Sequence, residues 1–227
     1  KKIYIIEDCA EALGSYIGKS HVGKFGDIAT FSFFGNKMIT TGEGGMMGFK
    51  SKAHKQKAEI LRDHGMSKKI KYWHDYVGFN FRITNLQSSI GCAQLERIKW
   101  FIKNKLNLAK NYKSKLSKFE FITLPGVHGN VQNSYWLYTI RLDKNFMKYR
   151  KILIQKMQEN GIEARPIFYP MSMMKPYKRY INKKDKFPVS EDLFKSSISL
   201  PSAYDVNKND ISLISNFLNN FRNSINR

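Results

Sequence analysis

The residues from Thr84 to about Phe119, "TNLQSSIGCAQLERIKWFIKNKLNLAKNYKSKLSKF", form one long helical pattern between two strand-rich regions. Leu86, Ile90, Ala93, Leu95, Ile98, Ile102, Leu106 and Leu108 recur at roughly helical spacing, and Thr84 or Asn85 supplies an N-cap. So long a run is expected to contain a kink or break. On either side, short strand-like runs are set among helical ones, which is the pattern of an α/β protein.

Upstream, "IYII" reads as a short strand ending at Glu7-Asp8, where an α/β protein commonly presents a functional acid. "SYIGKSHVGKFGD" has the glycine spacing of a hairpin or tight loops, "IATFSFF" and "MMGF" read as strands, and Ser51 to Asp63 reads as a helix stopped at His64-Gly65. Downstream, "YWLYTIRL", "IEARPIF" and "SISLPS" read as strands, with helices over Asn145 to Asn160 and Asp210 to Asn223. The character changes past "LPGVHGN", and a domain boundary is expected near residues 95 to 125. The chain opens directly in a strand-like run without an initiator Met, so an N-terminally incomplete chain is expected.

The formal charge of +21 invites a nucleic-acid reading. The basic residues are spread over the whole chain, with no basic arm, so solvated faces account for them better. A negatively charged small substrate suits such a surface, and a basic polyanion-binding protein stands as the alternative. Cys9 and Cys92 have no metal-ligand spacing and are too few for a disulfide scaffold. No metal, a cytoplasmic setting and no membrane span are therefore expected, since no apolar run approaches the ~18 residues a bilayer requires.

Two residues pose the chemical question. Asp8 reads as an N-cap for "CAEAL" or as a carboxylate that keeps a cationic ring nitrogen protonated. Lys37 is one of 39 Lys and Arg, yet it stands between the apolar "TFSFFGN" and the tight "TTGEGG", where desolvation would free its amine for Schiff-base chemistry. Ser32 is placed to put a hydroxyl on a phosphate, and glycines at 42, 44 and 45 let backbone approach a ligand. An acid, a hydroxyl and an amine in this order match the ring nitrogen, phosphate and aldehyde of pyridoxal phosphate.

The runs "IEDCAEALGS", "GKSHVGKFGDIATFSFFGNKMITTGEGGM", "LRDHGM", "YWHDYVGFNFRITNLQSSIGCAQLERI" and "GIEARPIFYPMSMMKPY" resemble the sugar aminotransferases of the DegT/DnrJ/EryC1/StrS family. The resemblance implies the type I aminotransferase (PLP-transferase) fold: residues 1–110 as the C-terminal portion of the large cofactor-binding domain, and 111–227 as the small C-terminal α/β domain. It implies that Lys37 bonds the cofactor aldehyde and moves the substrate proton, Asp8 pairs with the pyridinium nitrogen, and Ser32 binds the phosphate. Asn80 is implied to reach the phosphate from the neighbouring subunit of a homodimer. Glu11 stands where many relatives carry Gln near the phenolic oxygen, a departure that leaves that hydrogen bond open.

Arg165 and Tyr169 read equally as nucleotide-sugar contacts or as ordinary structure, and His64, Tyr72, Trp73 and His74 as site-adjacent or structural residues. A dehydratase branch of the family carries His at the lysine position, so Lys37 implies the aminotransferase branch. The implied substrates are L-glutamate and a nucleotide-linked 4-keto-6-deoxy sugar, GDP-4-dehydro-6-deoxy-D-mannose first and a dTDP- or UDP-linked sugar as the alternative. The resemblance places a further part of the large domain upstream of "IIEDCAEA", so an active site incomplete in these residues alone is expected.

Overall fold

The computed structural model describes residues 3–127 and 129–225. In chain order the elements are β1 (Ile6–Asp8), β2 (Tyr16–Ile17), β3 (Ser20–His21), β4 (Ile28–Ser32), β5 (Gly45–Phe49), α1 (Lys52–Arg62), α2 (Asn85–Glu96) and α3 (Ile98–Leu116). Then follow β6 (Ile122–Thr123), β7 (Val131–Gln132), β8 (Tyr138–Leu142), α4 (Lys144–Met147), α5 (Arg150–Glu159), β9 (Arg165–Pro166), α6 (Pro188–Ser196), β10 (Ser197–Leu200) and α7 (Lys208–Ile225). The chain divides into two compact units, Lys1–Lys103 with Val127–Trp136 and Asn104–Gly126 with Leu137–Arg227. Residues 127–136, placed by sequence in the second domain, thus return to the first unit, because Val131 and Gln132 pair with Ile17 and Tyr16 of β2.

In the first unit β1 runs parallel to β4, and β4 is antiparallel to β5. A second small sheet has the order β3-β2-β7. The hairpin expected in "SYIGKSHVGKFGD" is present, turning at Gly18 with φ +60. The long helical pattern breaks at Arg97, whose amide reaches back to the Gln94 carbonyl, leaving α2 and α3 as separate helices. Thr84 caps α2 through a capping box, its hydroxyl accepting from the Gln87 amide at 3.2 Å. On α2 the apolar positions that recur at helical spacing are open, with Leu86 79% and Leu95 51% exposed.

The second unit is built on an antiparallel sheet of order β6-β8-β10-β9. Its core joins Ile140 and Leu142 of β8, Ile198 and Leu200 of β10, Leu153 and Met157 of α5, and Ile211 and Leu218 of α7, all buried. The spacing of Ile211, Ile214, Leu218 and Phe221 is one face of a helix, which is why α7 forms and lies on the core. "IEARPIF" contributes only Arg165–Pro166 at the sheet edge, since Pro166 has no N–H to continue a ladder. α6 went unnoticed in the sequence, although Pro188 at its first turn and Glu191 shortly after are the signals of a helix start.

Lys105 of α3 is 5% exposed, donates to the Ser202 carbonyl and stands 4.8 Å from the Tyr204 ring centre. Burial disfavours its ammonium and lowers its pKa from 10.5 to about 8. Below pH 8 both folded and unfolded chains carry the proton and the burial penalty is felt in full. Between 8 and 10.5 the unfolded chain binds more protons, so this residue makes stability rise with pH there. Tyr112, its pKa pushed up strongly by burial, and Tyr204, pushed up to about 12, oppose this only above ~10, where unfolded phenols ionise. Urea denaturation is expected to show the rise between pH 8 and 10, and Lys105→Met to flatten it. Separately, Thr84→Ala is expected to lower stability by about 1 kcal/mol in the same assay through loss of the capping box.

Candidate active site

The site is built on the C-terminal edge of two neighbouring parallel strands. Asp8 ends β1 opposite Thr30, and Ser32 ends β4 two residues further on. No helix follows Asp8, so its N-cap reading is replaced by a turn, in which Asp8 Oδ1 accepts from the Ala10 amide at 3.1 Å. The Ser32 hydroxyl accepts weakly from the Phe34 amide at 3.3 Å. Both side chains therefore retain hydrogen-bonding capacity toward a ligand.

Lys37 lies in the loop that leaves β4 and returns as β5. Phe33 closes this loop: its amide donates to the Gly44 carbonyl, and its carbonyl accepts from the Thr41 amide, both at 2.9 Å. A Cβ at Gly45 would come within 2.7 Å of the Phe31 carbonyl, and one at Gly44, whose φ is +145, within 2.6 Å of the Thr41 hydroxyl. Only glycine fits these two positions. From outside, Gln94 of α2 accepts from the Thr40 amide at 2.8 Å, and the Trp136 indole N–H donates to the Asn36 carbonyl at 2.7 Å.

These bonds hold the Lys37 side chain in place at 12% exposure. Its Nζ is 3.1 Å from Glu11 Oε1 and 4.0 Å from the centre of the Trp136 ring. The indole face attracts the ammonium and shields it from water. Glu11 is half exposed, so the pair is a weak tether that solvent screens. Sequence reasoning missed Trp136, read there only as part of a strand. It reaches Lys37 because β7 pairs with β2 and the Ser134 amide donates to Ser15 Oγ at 3.0 Å.

Glu7, named in the sequence only with Asp8 at the strand end, has an anchoring role that its position there did not announce. Its carboxylate accepts from the amides of Gly23 and Phe25 at 2.7 Å and of Gly26 at 2.5 Å. The Gly26 bond is the main reason its pKa lies below the ordinary carboxylate value. Glu7 thus anchors the loop that leads into β4.

Asn80 is exposed and lies in an antiparallel bridge with Asp63. The chain there is fixed by Gly65 and Gly78: a Cβ on Gly65 would stand 2.0 Å from the Tyr76 carbonyl. His64 adopts φ +59, and its carbonyl meets His74 Nδ1 at 2.8 Å, so both histidines shape this turn. Tyr72 and Trp73 are exposed. In the second unit, Arg165 pairs with Glu163, and exposed Tyr169 stands 4.3 Å from the Phe194 ring. The first unit therefore assembles Glu11, Lys37 and Trp136 in contact beside the strand ends bearing Asp8 and Ser32. Cys9 and Cys92 are free thiols, and among the described residues no cluster of His, Cys, Asp or Glu is placed to hold a metal.

The DegT/DnrJ/EryC1/StrS aminotransferase family model matches residues 1–219. The chain belongs to this family. It is 40% identical to GDP-perosamine synthase of Vibrio cholerae over 98% of its own length and 60% of that protein's. The chain thus spans about three fifths of the length of such curated relatives. Among solved structures it superposes on the aminotransferase TlmJ from Streptoalloteichus hindustanus with a TM-score of 0.90 at 21% identity, over 99% of this chain and 60% of that one. PseC of Helicobacter pylori, an aminotransferase involved in the biosynthesis of pseudoaminic acid, gives 0.89 at 25% identity, over 96% and 59%. The fold is that of the type I PLP-dependent sugar aminotransferases.

Family enzymes depend on pyridoxal phosphate. The donor set of this chain fits that cofactor: an amine held in a shielded loop, a strand-end carboxylate, a strand-end hydroxyl, and glycines where a Cβ would collide. Glu7→Gln is expected to speed amide exchange at Gly23 and Gly26 by roughly tenfold or more, because charge-assisted bonds become neutral ones. Hydrogen exchange followed by NMR measures this.

Proposed function

We propose that this protein is a pyridoxal-phosphate-dependent aminotransferase that moves the amino group of L-glutamate to the 4-keto carbon of GDP-4-dehydro-6-deoxy-D-mannose, giving GDP-perosamine. The observation that carries the reading is Lys37, a largely buried amine fixed by Glu11 and Trp136 at the strand edge that also bears Asp8 and Ser32. The likeness to the Vibrio cholerae GDP-perosamine synthase supports the choice of nucleotide sugar.

Bound pyridoxal phosphate supplies the electron sink that lets an amino-bearing carbon lose a proton. Lys37 Nζ would hold the cofactor at its aldehyde carbon, and after displacement by glutamate it takes and returns the proton at the substrate carbon. Its contact with Glu11 has to open for this, because an ammonium is not a nucleophile. Asp8 would keep the ring N–H protonated and the Ser32 hydroxyl would donate to the phosphate. Trp136 restricts water at Nζ. Glutamate leaves as 2-oxoglutarate, and the sugar's carbonyl oxygen is exchanged for the amine.

Arg165 and Tyr169 of the second unit are proposed as nucleotide-sugar contacts, and the chain's excess of positive charge favours the diphosphate. A homodimer with shared sites completes the reading, with Asn80 reaching the partner's phosphate. Val77 at 91%, Phe81 at 71% and Leu86 at 79% exposure, close to Asn80 in sequence, are apolar side chains that such an association would cover. A cytoplasmic setting, in keeping with two free thiols, belongs to the same proposal.

Purified protein incubated with pyridoxal phosphate is expected to gain a visible absorbance band, and borohydride is expected to fix the cofactor on Lys37 by mass spectrometry. Lys37→Ala should abolish both signals; a band unaffected by that change, or an adduct fixed on another lysine, would sink the mechanism. With glutamate present, GDP-, dTDP- and UDP-linked 4-keto sugars offered separately test the nucleotide, and conversion of the GDP sugar is the expected outcome.

A further inference from the structure

Two segments far apart in sequence each put one group against Lys37 Nζ, Glu11 Oε1 at 3.1 Å and the centre of the Trp136 ring at 4.0 Å. Glu11 is carried by the turns that follow β1, in which the Ala12 amide donates to the Cys9 carbonyl at 3.0 Å and the Ser15 amide to the Ala12 carbonyl at 2.9 Å. Trp136 follows β7, which pairs with β2 through two residues. Tyr135, just before it, has φ +51, a left-handed backbone that a non-glycine residue keeps when its surroundings hold it there. A pair of hydroxyls joins the two segments ahead of Trp136. The Ser134 amide donates to Ser15 Oγ and the Ser15 hydroxyl donates to Ser134 Oγ, both at 3.0 Å, with Ser134 1% exposed. Gln132 adds a longer contact of 3.3 Å to the Gly14 carbonyl.

We propose that Ser15 and Ser134 are positioning residues for Lys37: their hydroxyl pair seats Trp136 over the amine and so sets how far Nζ is open to water and to reagents. The inference rests on the reading of Lys37 as the reactive amine and adds two residues that act on it through Trp136. A buried amide left without an acceptor costs free energy, so the Ser134 N–H pins residue 134 to Ser15 Oγ. Two residues on, the Trp136 indole N–H donates to the Asn36 carbonyl at 2.7 Å, on the residue next to Lys37. The ring is thus fixed at both ends of a short span, and it leaves Nζ by breaking one of these bonds. Serine suits position 15 because its hydroxyl accepts and donates at once from a short side chain. A tie that only held β7 on β2 would change stability and leave Lys37 as it is.

The test is reductive methylation of the full chain before pyridoxal phosphate is added, with Lys37 and Lys50 followed by mass spectrometry. Lys50 Nζ donates to the Phe25 carbonyl at 2.7 Å in the same unit and reports any general loosening. Ser15→Ala is expected to speed labelling of Lys37 relative to Lys50 by about fivefold, the shift that one lost neutral hydrogen bond gives. Ser15→Thr, which keeps the hydroxyl, should restore the wild-type ratio. In a Trp136→Ala background Ser15→Ala should add nothing, because two changes acting through one contact do not add. Ser134→Ala removes the hydroxyl bond and keeps the amide bond; it should give a smaller rise and serves if Ser15→Ala does not fold. An unchanged Lys37-to-Lys50 ratio in both serine variants, or an equal rise with and without Trp136, overturns the proposal. Borohydride fixation of the cofactor is read separately: coupled labelling without fixation on Lys37 refutes the reading of the amine alone, and fixation with uncoupled labelling refutes the positioning role alone.

Discussion

The parallel pairing of β1 with β4 is the constraint on which the candidate site depends. It is only three residue pairs long, from Ile6 with Ile28 to Asp8 with Thr30. Because the strands run in the same direction, their functional ends lie on one edge, and a carboxylate and a hydroxyl separated by 23 residues become neighbours. A pair so short needs outside support. Glu7 gives it by gathering the amides of the loop that enters β4.

The amine is delivered by a different device. Lys37 is carried on a loop bonded to β4 through Phe33, to α2 through Gln94, and to residue 136 through the indole of Trp136. Three separate parts of the first unit thus hold one loop. Positions fixed from several directions lose less entropy when a ligand arrives, which is how a scaffold prepares a reactive group before its substrate binds.

Much of this was legible in sequence. The hairpin in "SYIGKSHVGKFGD", the strand end at Asp8, the cap at Thr84 and the break in the long helix follow from local chemistry. The helix expected after Asp8 did not form, because "CAEAL" is taken up by successive turns whose first amide is bound by Asp8 itself. Likewise "IEARPIF" shrank to two residues, since proline cannot extend a ladder. Trp136 and Glu7 left no local signal, because their partners lie far along the chain or are backbone amides that any residue carries.

The sequence alone determined the α/β character, the family resemblance, and the inventory of amine, carboxylate and hydroxyl, because these rest on spacing and residue type. Tertiary structure decided that Lys37 meets Glu11 and Trp136, that residues 127–136 return to the first unit, and that Lys105 is buried. Those are contacts between distant segments, set by which strands pair and which faces are buried, and no single stretch of chain encodes them.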